Sequence, residues 1–253
     1  MLPPMDLNNK VALVTGATMG IGAAIAVELA KRGAHISTMA RQLEGPGDEL
    51  RARINMLDRG CHLMQGDLSQ AASCTQAVEE TVEKLGRLDV LIHNAGGPAF
   101  GKIEDITPNV WQHTLDLHVT ANYHLCRAAL PHLRAAGGGV IITVASSAAI
   151  RGIPGAIAYA TAKGALLNFT RCLARDLADD NIRVNCIAPG VIRTRFHQDM
   201  PEDRKQHNLD HRIPLHREGS AEQVAEAVAL LVTNDYITGE TLTIDGGLTM
   251  RIA

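Results

Sequence analysis

The chain has 253 residues, of which 46% are hydrophobic, 3% aromatic and 20% charged, and its formal net charge is −3. That is enough apolar material for a sizeable core, built from Ala, Val, Ile and Leu because aromatics are scarce. Charges of both signs are interspersed, which excludes a basic nucleic-acid face, and neither a bilayer-length apolar run nor a charged-then-apolar signal peptide is present.

Met1 to Asn8 reads as a disordered leader. Residues 10–15 follow as a buried strand, aliphatic and β-branched without polar interruption. The strand runs into Thr15-Gly16-Ala17-Thr18-Met19-Gly20-Ile21-Gly22, after which Ile21, Ile25 and Leu29 recur at helical spacing. Strand, glycine turn and helix in this order suit a dinucleotide: glycine lets the backbone approach a pyrophosphate, and the helix N-terminus offers free N–H groups to its charge. A tight connection that merely needs glycine backbone angles would look the same. Further strands are expected near 34–39, 61–65, 88–93, 139–145, 182–188 and 240–244, alternating with helical segments. Such alternation implies a Rossmann-type α/β fold, a doubly wound parallel sheet with helices on both faces. No linker, repeat or low-complexity stretch divides it, so residues 1–253 read as one domain. The five cysteines (Cys61, Cys74, Cys126, Cys172, Cys186) are widely spaced and suit a reducing cytoplasm. A zinc site is not expected.

Ser146, Tyr159 and Lys163 describe a proton-transfer device. Tyr159 and Lys163 stand four apart, which on a helix puts both on one face. An ammonium beside a phenol favours the phenolate, and so is expected to lower the Tyr159 pKa into catalytic range. Ser146 follows the apolar run Val140–Val144, where a hydroxyl can bond a substrate oxygen. The pair alone fits equally a half-buried tyrosine beside a solvated lysine.

Together these elements resemble the short-chain dehydrogenases/reductases, and the chain is similar to members of the 3-oxoacyl-carrier-protein reductase type. The resemblance runs from about Asn9 to Gly247. It is carried by the glycine turn, by Asp67-Leu68, by His93-Asn94-Ala95-Gly96 (with His for the family's first Asn), by Arg183-Val184-Asn185, by Pro189-Gly190-Val191-Ile192-Arg193-Thr194, and by Ile237-Thr238-Gly239 with Asp245-Gly246-Gly247. It implies a catalytic serine thirteen residues before the tyrosine, which is Ser146, while Ser147 is read as structural. It also implies an active-site asparagine seven residues after the tryptophan. Counting from Trp111 gives His118, a replacement that is either tolerated or relays a proton, since imidazole titrates near neutral pH.

The resemblance further implies an NAD(P) cofactor held by Gly16, Thr18, Met19, Gly20, Ile21 and Gly22, by Asp67 and Leu68 beside the adenine, and by Asn94, Ala95, Gly96, Tyr159 and Lys163. Pro189, Gly190, Ile192 and Thr194 complete that set. At the end of the second strand Ala40 stands where an NAD-selecting Asp is usual, and Arg41 can pair with a 2′-phosphate. NADP(H) is therefore favoured over NAD(H), although Arg41 can stack on adenine in either case and Met19 is not the basic residue of many NADP-preferring members. Residues 195–217 are expected as a mobile, polar substrate lid. Its four histidines, His197, His207, His211 and His216, fit no compact metal pattern. Arg151, Ile153, Pro154, Ile192 and Phe196 are the candidate substrate wall, with Arg151 suited to an anionic substrate and the polar lid to a small or polar carbonyl compound. The implied activity is interconversion of a carbonyl and a secondary alcohol. The alternatives are an NAD-dependent alcohol or polyol dehydrogenase, a non-catalytic nucleotide sensor, or an epimerase or dehydratase of related fold. Segments 155–179 and 220–232 resemble the family's assembly surfaces and imply a homotetramer or dimer.

Overall fold

The computed structural model describes residues 5–197 and 200–250 of the chain. Seven strands form one parallel sheet: β1 (Val11–Val14), β2 (His35–Ala40), β3 (Cys61–Gln65), β4 (Val90–His93), β5 (Gly139–Val144), β6 (Ile182–Pro189) and β7 (Thr241–Ile244). Their order across the sheet is β3-β2-β1-β4-β5-β6-β7. All seven fall where the sequence places them, and β1, β4 and β5, buried throughout, are near-continuous apolar runs. The order reverses between β1 and β4, which opens a crevice at the carboxyl ends of those strands.

Successive residues alternate between two cores. Ala12, Val14, Ile36, Ile92 and Ile142 face α1 (Gly20–Lys31), α2 (Pro46–Asn55) and α8 (Ala221–Thr233), where they meet Ile25, Leu29, Leu50 and Val228. Leu13, Leu91, Ile141 and Val184 face α3 (Ala71–Leu85), α5 (Ala121–Ala135) and α6 (Ile157–Leu177), where Val78, Leu125 and Leu177 complete a second layer. A short helix, α7 (Glu202–His207), lies in the segment expected as a lid.

The expected disordered leader needs correction for residues 5–8. The Met5 N–H donates to the Thr233 carbonyl at 3.2 Å, and Leu7 is fully packed in the first core. Leu7 stands between Asp6 and Asn8, so no apolar periodicity announces it. Met1 to Pro4 and lid positions 198 and 199 lie outside the described residues.

The path from α4 (Pro108–Leu115) to α5 is one continuous helix with a wide turn inserted at Asp116–Thr120. Such π-turns collect at functional sites. This one carries His118.

Candidate active site

The glycine turn closes against the end of β4. A side chain at Gly16 would come within 2.9 Å of the Ala95 Cα, and one at Gly22 within 2.4 Å of the Asn94 amide and 2.6 Å of the Gly16 carbonyl. Gly16 and Gly20 also take positive φ, at +65° and +58°. Thr15 ties the two segments: its hydroxyl oxygen accepts from the N–H groups of Asn94 and Ala95 at 3.1 and 3.0 Å. Asn94 returns its side-chain amide to the carbonyls of Thr15 and Gly16. Helix α1 begins after Met19 without a side-chain cap. Its first N–H groups are therefore available to an anion, and the cradle fits a pyrophosphate.

Thr194 faces this turn from the end of β6, its methyl 3.5 Å from where a Gly20 side chain would start. Gly190 presses backbone to backbone on Asp245, and Ile192 is buried. Thr18 is buried beside the turn, and Ile21 packs against the first core. Arg41 is exposed at the end of β2, where Gln65 donates to its carbonyl. The Ser69 N–H donates to the Asp67 carboxylate and holds it below the usual carboxylate range. Leu68 points into the core with Met39 and Met64.

Ser146 sits two residues beyond β5, where its hydroxyl oxygen accepts from the Ala148 N–H at 3.2 Å. Tyr159 and Lys163 share one face of α6, as their spacing requires. The lysine Nζ lies 5.7 Å from the tyrosine ring centroid and donates to the Val144 carbonyl at 2.6 Å. The expected lowering of the Tyr159 pKa is not what this arrangement does. Burial pushes the phenol up, and the Ser146 hydroxyl offsets part of the rise. Burial also takes the Lys163 ammonium down to about 8, which leaves it charged at neutral pH.

Behind this pair stand two histidines that do not titrate near neutrality. His118 is buried, its ring edge-on to Tyr159 at 5.6 Å between centroids. Its Nε2 faces the Gly97 carbonyl at 3.1 Å, which can only accept, so Nε2 carries the proton. Its Nδ1 is a buried acceptor without a partner among the described residues. Burial and the nearby Lys163 push its pKa down to about 2. A relay through a charged imidazolium is thus disfavoured, and His118 stays neutral. Gly96 accommodates it, since a side chain there would lie 2.3 Å from the His118 Cε1. His93 is fixed the same way. Its Nε2 donates to the Leu117 carbonyl at 3.2 Å, its Nδ1 accepts from the Thr15 hydroxyl at 3.1 Å, and burial takes it down to about 3.

One residue the sequence reading missed belongs to the site. Phe100 lies 6.5 Å from Tyr159 and 6.3 Å from Phe196 between ring centroids, and Phe196 is 5.9 Å from Tyr159. The Gly101 N–H donates to the Gly155 carbonyl at 2.8 Å and anchors the Phe100 loop beside α6. Its only signal in the sequence was an aromatic in a chain with three phenylalanines. Arg151 and Ile153 line a separate cavity whose lining does not include Ser146 or Tyr159.

Residues 16–249 match the family described as Enoyl-(Acyl carrier protein) reductase. The human protein Dehydrogenase/reductase SDR family member 4 is 38% identical over 97% of this chain and 90% of its own length. The chain is a short-chain dehydrogenase/reductase. Among solved members of the family, a short-chain dehydrogenase from Burkholderia cenocepacia J2315 in complex with NADP superposes with a TM-score of 0.91 at 34% identity, over 96% of this chain and 99% of its own. L-sorbose reductase from Gluconobacter frateurii, complexed with NADPH and L-sorbose, gives 0.90 at 33% identity, over 98% and 100%. As a short-chain dehydrogenase/reductase the chain is an oxidoreductase working between alcohols and carbonyls. Among the described residues no helix is long and apolar enough to cross a membrane.

Proposed function

We propose that the chain uses NADP(H) to interconvert a carbonyl compound and its secondary alcohol, with Tyr159 as general acid and base. The observation that carries this reading is the half-buried, neutral Tyr159 phenol flanked by Ser146 and Lys163, with Phe100 and Phe196 beside it. The cofactor would rest its pyrophosphate on Gly16–Gly22, with Asp67, Leu68, Asn94, Ala95, Gly96, Pro189, Gly190, Ile192 and Thr194 around it. Arg41 would take the 2′-phosphate, a role supported by Ala40 in place of a carboxylate and by relatives of similar shape that hold NADP or NADPH. A bound nicotinamide supplies or accepts the hydride.

In reduction the chain's own residues do three things. Ser146 donates a hydrogen bond to the carbonyl oxygen and orients it. Tyr159 gives its proton to that oxygen as the alcohol forms. Lys163, charged below pH of about 8, stabilises the phenolate left behind and binds the nicotinamide ribose. Phe100 and Phe196 supply an aromatic edge against which the substrate packs. His118 serves as a neutral hydrogen-bonding residue beside Tyr159 and does not itself gain a proton. Residues 195–217 close over the substrate, and α6 and α8 are the assembly surfaces of a homotetramer or dimer.

The test pairs two variants with two cofactors. Tyr159→Phe is expected to lower kcat by about 10²- to 10⁴-fold in a ketone panel with NADPH. Turnover close to wild type would sink the mechanism. Arg41→Ala is expected to raise KM for NADPH and leave KM for NADH unchanged; equal effects on both would remove the 2′-phosphate role.

A further inference from the structure

Beside the catalytic serine, but outside the residues that surround Tyr159, lies a cavity of about 420 Å³. It is lined by the segment after Ser146, from Ser147 through Arg151 to Ile153, by His211 and Arg212 of the lid, and by Leu248 and Thr249. No acidic side chain lines it.

Both arginines are held at one corner and left open at the rest. The Arg151 Nε–H donates to the Thr249 carbonyl at 2.5 Å. Thr249 is in turn fixed by Asp245, which accepts from its N–H and its hydroxyl at 2.7 Å each. One Arg212 terminal N–H group donates to the Asn208 side-chain carbonyl at 2.9 Å, and Asn208 is itself buried. Neither guanidinium forms an ion pair with a carboxylate among the described residues. Asp245 directs its oxygens to Gly247 and Thr249 instead. Two guanidinium forks thus line one cavity with no carboxylate among its lining residues, and such planar forks match oxyanions in bidentate geometry. Its volume falls in the range of small-molecule sites.

The geometry points to an oxyanion-binding pocket, clamped between Arg151 and Arg212, for a small molecule bearing a carboxylate or phosphate. Because one arginine follows Ser146 and the other belongs to the lid segment, the bound anion ties the lid to the catalytic loop. Ser147, read from sequence as structural, is among the residues that line this pocket. The binding claim stands apart from the hydride-transfer reading; only the question of whose anion is bound rests on it.

The experiment titrates citrate and inorganic phosphate calorimetrically onto the full chain at low ionic strength, comparing wild type with Arg151→Gln, Arg212→Gln and the double variant. Each single change is expected to weaken citrate at least 10-fold and the double change to abolish its heat. Arg151→Lys and Arg212→Lys, which keep charge and lose the fork, fall between. Arg217→Gln, a lid cation outside the cavity, and Tyr159→Phe leave the affinity unchanged. Equal citrate affinity in wild type and double variant, or no binding by wild type, overturns the proposal. Phosphate held at the glycine turn would persist in every variant and is thereby separated. Whose anion it is follows from kinetics. For a substrate's own carboxylate, the double variant raises KM for an oxo acid at least 10-fold but not for its methyl ester. For a separate effector, citrate shifts the wild-type KM for a neutral ketone and leaves that of the double variant unmoved.

Discussion

Lone ionisable groups in this site are governed by burial more than by their neighbours. The Tyr159 phenol is pushed up, so its acid form persists through neutral pH. Carbonyl reduction should therefore be flat from about pH 6 to 7, below the range where Lys163 loses its charge, and alcohol oxidation, which needs the phenolate, should rise with pH across the same interval. Initial rates in both directions check this; oxidation that is flat while reduction falls would contradict it. His93 and His118 carry the opposite sign. Their folded values, about 3 and about 2, lie below the unfolded value of about 6.5, so their contribution is whole above pH 6.5 and is lost as pH falls toward the folded values. At pH 5 each histidine is expected to remove about 2 kcal/mol relative to pH 7. Urea unfolding of wild type and of His93→Asn/His118→Asn at the two pH values measures it: the variant should lose several kcal/mol less. The position of His118 could be read by counting from Trp111, but its neutral state could not. Neutrality comes from enclosure and the Lys163 charge, against the pull of the Gly97 carbonyl, and none of these is a property of neighbouring letters.

At the scale of elements, the junction of β1, the glycine turn and α1 is the least tolerant part of the chain. Gly22 has a negative φ that any residue adopts, yet it leaves no room for a methyl group against the Asn94 amide and the Gly16 carbonyl. Gly22→Ala should displace the turn and weaken cofactor binding by at least 10-fold, with a smaller loss of stability. Calorimetric titration of NADPH beside a thermal melt separates the two effects. The turn's purpose was legible because strand, glycines and helix are contiguous. The Phe100–Tyr159–Phe196 cluster was not, since it joins a loop, a helix and the lid across about a hundred positions of sequence. The π-turn at Asp116–Thr120 likewise leaves no mark in apolar spacing.

The whole molecule rests on a sheet covered on both sides, and its central strands have no tolerant face. Ile142 is completely enclosed, whereas Leu230 on α8 is half exposed. Ile142→Ala should cost about 2–5 kcal/mol and Leu230→Ala within about 0.5 kcal/mol, read from denaturant midpoints. A comparable loss from both would mean that the Leu230 face is covered by another copy. The near-continuous apolar runs of β1, β4 and β5 made those strands readable as they stand, whereas Leu7 hides among polar neighbours and the lid helix α7 carries too little apolar pattern to announce itself.

The strand order has a consequence for how the chain is made. Once residue 93 has emerged, β3, β2, β1 and β4 can already lie side by side, and β5, β6 and β7 are then added in turn along one border. Synthesis and sheet growth run in the same direction, so a nascent chain never has to open finished pairing to admit a later strand. At each pause, though, it presents one unpaired aliphatic border to its surroundings. A chain arrested just after Val144 would show Val140-Ile141-Ile142 there. Such a border is a template for association until β6 covers it.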